Sequence, residues 1–92
     1  MFRIPTLITA LALLPLTGRA GENVPVDQLP DVVVNAIHVE YPGAKLLKAE
    51  VEKEEEVTFY EVHVVHQDIK MQIDVSPEGK VLAVDEELRK QN

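Results

Sequence analysis

Three histidines and a surplus of carboxylates are the side chains of this 92-residue chain with the means to do chemistry. His38, His63 and His66 would form a metal centre only if they converged. His63 and His66 stand three apart; on a strand that spacing sends them to opposite faces, whereas a chelating pair needs two. They read as surface histidines, and no metal site is expected. Asp74, Ser76, Glu78, Gly79 and Asp85 fall at positions 1, 3, 5, 6 and 12 of a calcium-loop pattern. A strand, not a helix, leads into that segment, Pro77 interrupts it, and Val81-Leu82-Ala83-Val84 continues it as a strand. A hairpin turn fits better. Glu54-Glu55-Glu56 reads as a solvated hairpin tip whose charge deters neighbouring strands. The chain has no cysteine. Beyond residue 20 its only serine and threonine are Ser76 and Thr58, in a turn and a strand, without an Asp–His pattern to activate them. Neither catalytic residues nor a cofactor are expected.

The remaining candidate is a surface. Phe59, Glu61, His63 and Val65 leave one side of the most strand-like run, with Lys48, Lys70, Gln72 and Asp74 nearby. Phe59 and Val65 are more apolar than solvation requires, and apolar groups within a polar rim mark interfaces. Phe59, Glu61, His63, Val65, Lys70 and Gln72 are therefore the predicted partner-binding residues. The competing expectation is that the tail after Asp85, or a second copy, covers them.

The elements that must position these residues follow from periodicity. A helix begins at Asp27 or Leu29, with Pro30 tolerated in its first turn. Leu29, Val32, Val33, Ala36 and Ile37 share one arc, and Asp31, Asn35 and His38 lie opposite. Pro42 and Gly43 end it. The period then becomes two. Leu47, Ala49 and Val51 alternate with Lys48, Glu50 and Glu52. Residues 57–65 follow, with Tyr60, Val62 and Val64 on the face opposite Phe59. His66-Gln67-Asp68 turns the chain, and Met71, Ile73 and Val75 alternate with Lys70, Gln72 and Asp74. Ser76-Pro77-Glu78-Gly79 is a second turn, before a short strand over residues 81–84. Short connections make successive strands antiparallel neighbours. The expected fold is α+β: one N-terminal helix on a three- to four-stranded antiparallel sheet, as a single domain over residues 28–85. Residues 21–27 read as a flexible lead and 86–92 as a polar tail.

The start of the chain is organised differently. Arg3 precedes thirteen uncharged residues, 4–16, and Gly18 and Ala20 place small residues ahead of a cut after Ala20. This is the layout of a secretory signal peptide over residues 1–20, so export to periplasm or exterior is expected. The run falls short of the roughly 20 residues that span a bilayer, and no membrane insertion is expected after its removal. Loss of Arg3 and Arg19 leaves seven of nine basic residues against sixteen acids, a net charge of −9. Such a surface repels phosphate backbones, so nucleic acid is not an expected partner.

Leu29-Pro30 opening a helix, Tyr41-Pro42-Gly43-Ala44 closing it, Tyr60-Glu61-Val62 on a long strand, and residues 74–81 (Asp-Val-Ser-Pro-Glu-Gly-Lys-Val) as the last hairpin together resemble the PepSY and PepSY-like family. The resemblance covers about residues 28–85. It implies a small exported domain with a helix on an antiparallel sheet, similar in fold to the beta-lactamase inhibitor protein. It also implies a binding or inhibitory module rather than an enzyme, acting on an envelope or secreted enzyme such as a peptidase. The pattern departs from the family at two turns: Lys53-Glu54-Glu55-Glu56 and His66-Gln67-Asp68 carry no glycine. The functional expectation is an exported, non-catalytic protein-binding module. The alternatives are an acidic binder of divalent cations and a self-associating structural domain.

Overall fold

The computed structural model describes residues 21–87. The apolar run at 4–16, the cut after Ala20 and residues 88–92 lie outside the described residues. Five strands form one antiparallel sheet in chain order: β1 (Glu22–Val24), β2 (Lys45–Glu54), β3 (Val57–His66), β4 (Ile69–Val75) and β5 (Val81–Glu86). One helix, α1 (Asp31–Glu40), packs on one face. The α+β class is as expected, with five strands rather than three to four.

The added strand is β1, within the segment expected to be a flexible lead. Glu22, Asn23 and Val24 pair with Val51, Glu50 and Ala49, and Val24 packs against the core. Three residues of mostly polar type carry too little alternation to announce a strand; the existing edge of β2 supplies the template. Pro25, with no N–H to donate, ends the pairing. A single 3-10 turn, Val26–Gln28, then leads toward the helix.

Leu29 is extended (φ −66°, ψ 147°), and α1 begins at Asp31 rather than at residue 27 or 29. The cause is Pro30, whose ring disfavours helical backbone in the residue before it. The Pro30 carbonyl accepts the first helical hydrogen bonds, from the Val33 and Val34 N–H groups at 3.0 and 3.2 Å. Val33 and Ile37 are fully buried, against a floor of Val62, Val64, Ile73 and Val75. Each such side chain stabilises the fold by about 1.5–3 kcal/mol. Val32, expected on the buried arc, is 42% exposed and lies beside Gly79 at the helix margin. At the far end Tyr41 N–H bonds back to the Ile37 carbonyl, and Gly43 takes φ +84°.

β2 departs from simple alternation. Leu46 pairs with Val64 and Lys48 with His63, so one extra residue, Leu47, is bulged between them. Leu46 therefore joins the core, and Leu47, expected there, is 46% exposed. Downstream of the bulge Ala49 and Val51 return to the helix side.

The two glycine-free turns close nonetheless. Gln67 and Asp68 both adopt positive φ (55° and 68°) between paired His66 and Ile69. That is the backbone of a two-residue hairpin turn normally given to Asn-Gly. Glu55 takes φ 57° in the turn between β2 and β3. The last turn has Gly79 at φ +92°, and Lys80 N–H donates to Ser76 Oγ at 3.0 Å. The strand after it runs to Glu86, and Glu87 N–H reaches the Lys70 carbonyl. The start of the expected polar tail is therefore ordered sheet.

Candidate functional site

The second face of the sheet carries no covering element among the described residues, since α1 packs on the first. The strand registers arrange this open face into rows. Lys45, Val65 and Lys70 form one; Lys48, His63, Gln72 and Asp85 form the next. Asn23, Glu50, Glu61, Asp74 and Ala83 follow, and then Glu52 beside Phe59. All six residues predicted for partner binding thus share this face. Phe59, Glu61, His63 and Val65 lie on β3, Lys70 and Gln72 on β4, each half-buried except exposed Lys70.

The face is polarised. Lys45, Lys48, Lys70 and His63 gather around Val65 at one end, Glu50, Glu61 and Asp74 hold the middle, and Phe59 lies toward the other end beside Glu52. There Val57, Phe59 and Leu82 border a shallow groove of about 360 Å3 with Glu54, Glu55 and Asp74. Leu82 enters because β5 is bulged: Val75 pairs with Val81 but Asp74 with Ala83. No alternation pattern announces that bulge, so the sequence alone left Leu82 out of the site.

The carboxylates are closer together than their positions in the sequence suggest. Glu50, Glu52 and Glu61 can bring one oxygen each within 4.8 Å of one another. The Glu52 carboxyl is raised above its ordinary value, first by a hydrogen bond to Glu61 and then by burial. The nearness of the two carboxyl groups thus disfavours the charged form of Glu52. Asp74 is raised too, chiefly by burial, with Glu52, Glu54 and Asp85 adding repulsion. Its Oδ1 is buried without a hydrogen-bond partner. These are the groups in the site that could hold a cation. The calcium-loop residues do not surround one point: Asp74 lies on the open face, Ser76 Oγ is engaged within its turn, and Asp85 pairs with Gln72.

The histidines do not converge. His63 stays on the open face. His38 Nε2 lies 3.0 Å from the Ala44 carbonyl and His66 Nε2 3.1 Å from the Pro42 carbonyl. A carbonyl only accepts, so each Nε2 carries the proton. The His66 ring also meets Tyr41 edge-on, centroids 5.5 Å apart. Expected as free surface groups, these two histidines pin the loop that returns from α1 to the sheet. Among the described residues no helix is long and apolar enough to cross a membrane. No protein-family model, no curated protein and no solved structure matches the chain, so geometry and the sequence motifs carry the functional reading.

Proposed function

We propose that this chain is an exported, non-catalytic, PepSY-like binding module that docks a protein through its open sheet face. The observation that carries the reading is a sheet face, uncovered among the described residues, on which apolar Phe59 and Val65 sit among charged neighbours. The signal-like residues 1–20 and the family resemblance supply the exported setting and the likeness to inhibitory modules. The bound enzyme, a peptidase or another envelope enzyme, would be held by contact rather than by chemistry.

The test is a crosslinked pull-down from the exported fraction with the tagged full chain and its Phe59→Ala/His63→Ala variant. A saturable partner captured by the first and lost by the second, at unchanged stability, supports the reading. Equal capture by both would move the site elsewhere. A second reading, divalent-cation binding, is favoured by the approach of Glu50, Glu52 and Glu61 alone. Calorimetry with calcium and with zinc separates the two, and absence of heat at about millimolar metal eliminates it.

A further inference from the structure

The two edges of the sheet differ in how they are protected. An exposed edge strand offers unpaired backbone N–H and C=O groups, and proteins blunt it by shortness, proline, lysine or bulges. β1 is three residues long and is followed at once by Pro25. β5 is six residues long, Val-Leu-Ala-Val-Asp-Glu, with neither proline nor lysine inside it. Only the bulge at Leu82 interrupts it, near its start. Leu82 and Val84 remain 47% and 40% exposed.

The open face supplies charge to the same edge. The acidic row Glu50, Glu61, Asp74 ends at the edge in Ala83. Neighbouring strands stand about 5 Å apart, so a residue opposite Ala83 on an added strand would lie about 10 Å from Asp74, with only a methyl group between. A lysine or arginine side chain spans that gap. Its positive charge would then face the acidic row of Glu50, Glu61 and Asp74. Apolar residues at the alternating positions would fall on the other face of the added strand, beside Val84, which pairs with Ile73 and is partly exposed. Asp85 and Glu86 within the strand, and Glu87 just after it, extend the negative charge along the edge.

We infer that β5 is the docking edge of this module and that it accepts, as a sixth strand, an extended partner segment in which apolar residues alternate with lysine or arginine. The inference rests on the open-face reading and names the place and the chemistry of the contact. Main-chain pairing gives the segment its register, and the acidic row selects its charge.

The experiment uses isotope-labelled full chain and a capped peptide of alternating valine and lysine, about six to eight residues long. A peptide of alternating valine and glutamate is the control. The lysine peptide should slow exchange of the β5 amides that point away from β4 by about tenfold. Added salt and the exposed-site substitution Leu82→Lys should each weaken the effect, and the control should have none. Four outcomes overturn the inference. If only amides of β2, β3 and β4 respond, the open face binds but not through this edge. If nothing responds, both the edge and the open-face reading fail for this ligand chemistry. If the glutamate peptide acts equally, charge does not select. If β5 amides are protected without peptide, a second copy or the chain's own tail holds the edge; dependence on protein concentration tells which.

Discussion

Single residues in the turns set the tolerance of this fold. Gly79 and Gly43 both have positive φ, but their surroundings differ. A Cβ on Gly79 would strike the Val32 side chain and come within 2.9 Å of its carbonyl oxygen, on helix backbone that cannot step aside. A Cβ on Gly43 meets nothing within 4 Å. Gly79→Ala should therefore cost about 2–4 kcal/mol, strain plus clash, and Gly43→Ala about 1 kcal/mol, strain alone. Thermal unfolding of the two variants checks the ordering, and equal losses would remove the role assigned to the Val32 contact. Gly79 was legible as a turn residue from Ser76-Pro77-Glu78-Gly79. Its second duty, letting α1 lie close to the last hairpin, needs tertiary structure. The same holds for His38 and His66, whose partners are carbonyls that periodicity cannot see.

At the scale of elements, the turn between β3 and β4 is the least well matched to its sequence. Gln67 and Asp68 hold a conformation that suits Asn-Gly. Gln67→Asn with Asp68→Gly should stabilise the protein by about 0.5–1.5 kcal/mol and raise the Tm accordingly; a fall in Tm would mean that these side chains carry contacts of their own. Elements were legible where the pattern was long. The amphipathic stretch gave α1, although Pro30 delays its start, and the alternation over residues 57–65 and 70–75 gave β3, β4 and their faces. What failed was local and geometric. One inserted residue in β2 exchanges Leu46 for Leu47, and a period of two has no means of flagging a bulge. β1 exists because β2 offers it an edge, not because Glu22-Asn23-Val24 favours a strand. The site was legible as a face, from the alternation in β3 and β4. Its acidic centre required the registers, because Glu50, Glu61 and Asp74 become neighbours only when three strands align.

The whole molecule carries its charge unevenly, and that sets its response to pH. Glu52 and Asp74 both have folded-state values raised above their ordinary ones, so the folded protein binds protons that the unfolded chain releases. Stability therefore rises as pH falls from neutral through the raised values toward the ordinary carboxylate range, and the gain is complete below it. Asp74→Asn removes a partly buried charge and should raise the Tm at neutral pH. It should leave the Tm nearly unchanged where Asp74 is already protonated. A Tm shift of equal size at both pH values would show that the benefit is not electrostatic. The order of strands has a different consequence. Because each strand is hydrogen-bonded to the strand next to it in the chain, no segment among the described residues threads between two others. Among the described residues β1 and β5 are each held from one side only, whereas β3 and β4 are held from both sides and lie beneath the helix. Opening can proceed strand by strand from either margin without disturbing the centre. The face proposed for docking is thus bounded by the strands held least firmly.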